Sequence, residues 1–149
     1  MNLYLVQHGE AKPEEEDPER PLTAKGRKEA GNVALQLTGA GIKPFEIFHS
    51  PKLRAIQTAD IFASHFHVRA VQMEGLKPND DPKIACDFVQ SQSKDIMLVG
   101  HLPHLNKLAS LLVAGDEDAD VIAFRMAGVV CLAKEEKWRV AWMLTPELL

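Results

Sequence analysis

Three apolar runs in the sequence each end in side chains that can bind or attack an anion. QHG follows the run at residues 3–6, HSPKLR follows the run at 45–48, and GH follows the run at 96–99. Imidazole and guanidinium groups offer N–H donors to a tetrahedral anion, and arginine is always charged. A neutral imidazole can also attack phosphorus without bringing negative charge toward the anion. These residue types predict phosphate chemistry, with His8 as nucleophile and with Arg54 and His101 as phosphate ligands.

Amphipathic helices are predicted to follow the first two apolar runs. The first helix should be capped by Thr23 and should end near Gly39 and Gly41, because apolar residues recur between them at i, i+3, i+4 and i+7. The second should begin at HSP, with Ser50 as the N-cap and Pro51 as the first helical residue. Both helices present one apolar stripe, so each should pack on a sheet.

Further elements alternate in the same way towards the end of the chain. Asp81 should cap a third helix, and a fourth should follow GHLPH and close at Gly115. The inward positions of the third are predicted to be Ile84, Ala85, Phe88 and Val89. AGVVCLA and WRVAWML around KEEK favour a final hairpin. The pattern predicts one α/β domain over residues 1–149, a three-layer α/β/α sandwich with a mainly parallel central sheet.

Composition argues against several function classes. The formal charge of −4 and the pI near 5.8 leave no basic stripe for nucleic acid. No run approaches the eighteen apolar residues of a membrane-spanning helix. Cys86 and Cys131 lie in apolar patterns and are expected to be buried reduced thiols, which suits a cytoplasmic protein. Nothing in the sequence indicates an oligomeric state.

The predicted sheet should bring the chemistry-bearing segments together. In α/β sheets, ligands bind outside the carboxyl ends of parallel strands, where connecting loops meet. His8 and His101 should therefore share one pocket with Arg54, while Gly9 leaves room for the anion. Helix N-termini nearby add positive potential that suits phosphate.

Four blocks of the sequence carry a family resemblance. QHGEA, RPLTAKG, SPKLRAIQTA and VGHLPH occur in the order found in the histidine phosphatase superfamily. Within this superfamily, the chain most resembles the small SixA-like phosphohistidine phosphatases. The resemblance implies a phosphoglycerate mutase-like fold, with His8 as the histidine that becomes phosphorylated. It also implies that Arg54 clamps the phosphate and that His101 stabilises the transferring group.

One position departs from the family pattern. The first block is normally Arg-His-Gly, and this chain has Gln7 where that arginine belongs. Exchanging a guanidinium for a neutral amide removes a charge-assisted contact worth about 1.5 to 3 kcal/mol. Gln7 and Gly9 are still expected to border the substrate. Arg20, in ERPLT, could reach the pocket from its loop or remain an ordinary surface arginine.

The expected reaction is a two-step transfer without a cofactor: His8 takes the phosphoryl group, and water then hydrolyses the phosphohistidine. The loop MEGLKPNDD is short, which predicts an open pocket suited to a phosphohistidine on a protein partner. A leaving imidazole needs little acid assistance, although Glu74 and Asp80 are candidate general acids. The alternatives are a small-molecule phosphomonoesterase and, because of Gln7, a non-catalytic phosphate or phosphoprotein binder.

The remaining histidines do not form a metal-binding pattern. HFH, with His65 and His67, straddles a predicted helix end, and the HLPH that carries His104 contains proline. Neither matches the spacing that places two ligands on one helical face. We therefore expect no metal site.

The Gln7 departure generates a first prediction. Gln7→Arg should raise kcat/KM on a generic phosphoester about 10-fold or more, because one charge-assisted contact is regained. If Arg20 or Lys12 already fills the vacancy, the new arginine is crowded, and Arg20→Ala or Lys12→Ala loses activity instead. Steady-state kinetics on the three variants separate these cases. No gain from Gln7→Arg together with no loss in either alanine variant would show that the substitution has been misinterpreted.

Overall fold

A six-stranded mixed sheet with helices on both faces makes up the fold. The computed structural model describes residues 1–149. The strands are β1 (Asn2–Gln7), β2 (Glu46–His49), β3 (Ala70–Gln72), β4 (Ile96–Gly100), β5 (Val129–Lys134) and β6 (Trp138–Leu144). The helices are α1 (Ala24–Gly39), α2 (Leu53–Phe66), α3 (Pro82–Gln90) and α4 (His104–Ala114), followed by a 3₁₀ turn, Pro146–Leu148. None of these helices is both long and apolar enough to cross a membrane.

The strand order is β3-β2-β4-β1-β5-β6, with the first four strands parallel and the final hairpin antiparallel. Helices α1 and α2 cover one face of the sheet, and α3 and α4 cover the other. The core is therefore two apolar layers that share β1 and β4, whose side chains alternate between them. The predicted three-layer α/β/α sandwich is confirmed.

Helix starts follow the predicted caps in two of three cases. The Thr23 hydroxyl accepts a hydrogen bond from the Gly26 N–H at 3.0 Å, and Asp81 caps α3 in the same way. The prediction for α2 is wrong, because this helix begins two residues after Pro51 and has Lys52 at its N-cap position. The Ser50 hydroxyl is used elsewhere, in a contact with a histidine that is described below.

The inward stripe of α3 also differs from the prediction at one position. Ile84 is 51% exposed, and the core is filled instead by Ala85, Cys86 and Val89. The Ile84 side chain lies over Gly75, where an added Cβ would come within 2.6 Å of it. A nine-residue helix can bury only a narrow apolar stripe in the core. Ile84 therefore packs against the preceding loop at Gly75 and not in the core.

A loop between β1 and α1 is closed at its base. Ala11 and Leu22 form an antiparallel bridge, and the Lys12 N–H donates to the Pro21 carbonyl at 2.8 Å. Just below this base, α1 approaches the chain so closely that a Cβ on Gly26 would lie 2.2 Å from the Glu10 carbonyl oxygen. The first turn of α1 therefore rests directly on the backbone that follows β1.

This approach predicts that Gly26→Ala destabilises the fold. The new methyl would meet backbone that cannot rotate away, and such overpacking costs about 1 to 3 kcal/mol. Gly31→Ala is the matched control on the same helix, because a Cβ there meets nothing within 4 Å. The control should be neutral or stabilise by up to about 1 kcal/mol, since alanine is the better helix former. Urea unfolding of both variants checks this, and equal free energies of unfolding would contradict it.

Candidate active site

Two imidazoles meet at the carboxyl ends of the central parallel strands. In the β1–β4 ladder, Gln7 is paired with Gly100, so the next residues, His8 and His101, emerge side by side. The His8 N–H donates to the Gly100 carbonyl at 3.0 Å. The ring centroids of His8 and His101 lie 5.1 Å apart at an interplanar angle of 53°. The convergence expected from the strand ends is present for this pair.

The His8 ring is held in one tautomer. Its Nδ1 lies 2.7 Å from the Gly9 carbonyl, which can only accept, so Nδ1 carries the proton. Burial, with smaller effects of the Arg54 and Arg20 charges, lowers the pKa of His8 to about 4, although the Gly9 hydrogen bond acts in the opposite direction. The ring is therefore neutral at neutral pH and keeps a free lone pair on Nε2.

Thr58 in α2 holds the backbone of Gly9, the residue after His8. The Thr58 hydroxyl accepts a hydrogen bond from the Gly9 N–H at 3.0 Å and donates to the Arg54 carbonyl at 2.8 Å. The Arg54 Nε is buried without a hydrogen-bond partner. Burial and, secondarily, Arg20 lower the pKa of Arg54. A cation with an unpaired buried donor at a helix N-terminus is suited to an anion.

Arg20 lies near enough to His8 and Arg54 for its charge to act on both. Its charge lowers the pKa of both His8 and Arg54. Its backbone adopts a left-handed conformation with φ of 51°, and its Nε donates to the Lys12 carbonyl at 3.1 Å. Non-glycine residues rarely adopt this conformation. The closed loop thus holds a second guanidinium near His8.

Gln7 lies at the end of β1, where its backbone is fixed by the Ala127 N–H at 2.9 Å from its carbonyl oxygen. The side-chain Oε1 is buried and has no hydrogen-bond partner. Rotating the amide by half a turn would place its NH₂ group in the same position. Gln7 can therefore offer a neutral donor at the end of β1, but no charge.

His101 is almost completely enclosed, with 1% of its surface exposed. Burial lowers its pKa to about 3, with smaller contributions from His8, Arg54, His104 and Lys52. Its Nε2 lies 2.5 Å from the Ser50 hydroxyl, and its Nδ1 is buried without a partner. This imidazole is also neutral at neutral pH.

Sequence reasoning missed three contributors to the site. Ser50 was expected to cap a helix, and Thr58 carries no distinguishing pattern. Lys52 is near enough to lower the pKa of His101. The only signal for Ser50 was its place directly after an apolar strand that ends at the same edge of the sheet.

The candidate general acids are not hydrogen-bonded to either ring. Glu74 is exposed, and the Asp80 carboxylate accepts a hydrogen bond from the Lys77 N–H at 2.9 Å. Asp80 lies near enough to His104 to raise its pKa, although burial lowers that pKa more strongly. Neither carboxylate is hydrogen-bonded to a residue of the site.

The largest surface groove lies elsewhere. It has a volume of about 970 Å³ and is lined at the amino ends of β2, β3 and β4 by residues that include Phe45, Arg69 and Lys94. The two imidazoles are at the opposite edge of the sheet. No group of three or more metal-ligating side chains is arranged to hold an ion.

Comparison with known proteins identifies the family of this chain. A family model for the histidine phosphatase superfamily (branch 1) matches residues 3–79. An uncharacterized protein of Picosynechococcus sp. is 31% identical over 140 residues, covering 89% of this chain and 84% of that protein. Phosphohistidine phosphatase SixA of Escherichia coli is 24% identical over 153 residues, covering 98% of this chain and 94% of that protein.

The fold is also that of a solved relative. A structure of the protein histidine phosphatase SixA complexed with tungstate superposes with a TM-score of 0.88 at 23% identity, over 99% of both chains. The family model spans more than half of the sequence and includes the strand that leads to His8. The chain belongs to the histidine phosphatase superfamily.

Proposed function

We propose that this protein is a phosphatase that acts through a phosphohistidine at His8 and releases phosphate from phosphorylated histidine on a protein. The observation that carries the proposal is the state of His8. Its Nδ1 proton is bound to the Gly9 carbonyl, its Nε2 is left free, and its lowered pKa keeps the ring neutral. An unprotonated imidazole nitrogen beside unpaired guanidinium donors is what an in-line attack on phosphorus requires.

The reaction follows in two balanced steps. The lone pair of the His8 Nε2 forms a bond to phosphorus while the bond to the leaving nitrogen breaks, and the substrate ring, protonated on its other nitrogen, leaves as neutral imidazole. Water then attacks phosphorus and gives one proton to solvent, the P–N bond breaks, and hydrogen phosphate leaves the neutral His8. Arg54 and Arg20 balance the charge of the equatorial oxygens, with neutral donors from Gln7 and His101.

Phosphohistidine is favoured over a phosphomonoester as the substrate, because neither candidate general acid is positioned to protonate a leaving group. An alkoxide leaving group would need a proton donor near His8, and neither Glu74 nor Asp80 is hydrogen-bonded to a site residue. An imidazole leaves as a much weaker base and needs less help. The name of the Escherichia coli relative, phosphohistidine phosphatase SixA, supports the same choice.

A non-catalytic phosphate binder is the second candidate function, because Gln7 removes one charge from the pocket. The same donors would hold a phosphate without transferring it. Arg20 argues for catalysis, since it supplies a guanidinium close to His8 that can offset the missing one.

Covalent labelling with ³²P-phosphoramidate separates the two functions. We expect rapid quenching to trap label on His8 of the wild type. His8→Asn should lose the label and retain below about 1% of the turnover, because no other group can accept the phosphoryl in line. His67→Asn is the control, since His67 is exposed and lies at the C-terminal end of α2. Phosphate binding without label in the wild type would establish the binder instead.

Turnover of a phosphohistidine peptide, compared with sugar and nucleotide phosphates, tests the substrate. We expect kcat/KM to be at least about 10-fold higher for the peptide, a difference of about 1.4 kcal/mol or more. Equal or higher values for a small phosphoester would identify a phosphomonoesterase.

The lowered pKa of His8 also predicts the pH dependence. A nucleophile with a pKa of about 4 stays unprotonated down to that pH, so kcat/KM should fall on the acid side near pH 4 rather than near the ordinary 6.5. Arg20→Ala removes a positive neighbour and should move this limb to higher pH. Arg69→Ala, at the opposite edge of the sheet, should leave it unchanged. After correction for the substrate's own ionisation, an acid limb near 6.5 in the wild type would contradict the assignment.

A further inference from the structure

The contact between Ser50 and His101 has a role that strand and helix formation does not explain. The serine hydroxyl lies 2.5 Å from the His101 Nε2 and is fully buried. It is not used to cap α2, which begins three residues later without a side-chain cap. The contact therefore serves the imidazole.

Counting protons identifies the direction of this hydrogen bond. The Ser50 oxygen also accepts a bond from the Lys52 N–H at 3.3 Å, and it has no third partner. If the His101 Nε2 carried the proton, the hydroxyl would accept twice and its own proton would have no acceptor. If the hydroxyl donates to Nε2, its proton has an acceptor and its oxygen still accepts from the Lys52 N–H.

The same count favours one tautomer of His101. Its Nδ1 is buried and has no partner in the protein. With the proton on Nε2, both the Nδ1 lone pair and the Ser50 hydroxyl proton would be left unpaired. With the proton on Nδ1, only that N–H is unpaired. A buried donor without a partner costs about 1 to 3 kcal/mol, so the second arrangement is favoured.

We propose that Ser50 is a positioning residue that fixes His101 as the Nδ1–H tautomer and so reserves this N–H for the transferring phosphoryl group. Because Nε2 is held by Ser50, Nδ1 is the one ring nitrogen left to donate. A bare lone pair at Nδ1 would instead repel an anionic oxygen. The inference rests on the proposed role of His101 as a phosphoryl ligand.

The tautomer is measured directly in the free wild-type protein. Long-range ¹H–¹⁵N spectra of ¹⁵N-histidine protein distinguish a protonated from an unprotonated ring nitrogen, and His101→Asn assigns the resonances. We expect a protonated Nδ1 and an unprotonated Nε2 for His101. The reverse pattern would overturn the proposal without any activity measurement.

Variants test whether Ser50 imposes this state. Ser50→Ala should give a mixture of both tautomers and lower kcat about 10-fold with little change in KM, which is less than the 10²- to 10³-fold loss for deleting a transition-state donor outright. Ser110→Ala is the matched control, because Ser110 is another fully buried serine, whose hydroxyl accepts from the Val121 N–H. It should change neither the spectrum nor kcat. An unchanged His101 spectrum in Ser50→Ala would remove the positioning role.

Inorganic phosphate separates a failure of this inference from a failure of the proposed function. Added to the wild type, phosphate should shift the His101 Nδ1–H resonance. If His8 responds to phosphate and His101 does not, the inference is wrong even in an active phosphatase. If His101 responds but no label is trapped on His8, the phosphatase function is wrong and the tautomer assignment stands.

Discussion

The parallel pairing of β1 with β4 is the constraint on which the site depends. Gln7 lies opposite Gly100, and the hydrogen bond from the His8 N–H to the Gly100 carbonyl carries the ladder one residue further. Two histidines that are 93 residues apart in the sequence are thereby fixed at neighbouring strand ends. A shift of the ladder by one residue would turn one of the two side chains to the other face of the sheet.

Burial of these imidazoles decides the electrostatics around them. Guanidinium groups gather near two histidines that would repel them if charged, and desolvation keeps both rings neutral. The positive charge of the site therefore comes from groups that cannot titrate near neutral pH. Gln7 is neutral, and the charge of Arg20 reaches His8 from a loop.

The sequence predicted the parts of the fold that follow from periodicity and did not predict those set by tertiary contacts. Apolar runs located the parallel strands, and helical spacing located α1 to α4, because both signals are local. Ser50 was placed wrongly, since a serine before proline has the local form of an N-cap and only the neighbouring strand reveals its contact with His101. Arg20 could not be assigned, because its position depends on the left-handed turn and the closed base of its loop.

The backbone contact between Glu10 and Gly26 holds the chain after His8 independently of the loop that carries Arg20. Because the loop is clamped below its base, residues 12–21 can change in composition or length while the chain that holds His8 stays in place. Arg20 lies within these residues, and His8 lies outside them. A change in the loop can therefore move the charge that Arg20 brings to the site, while His8 keeps its position.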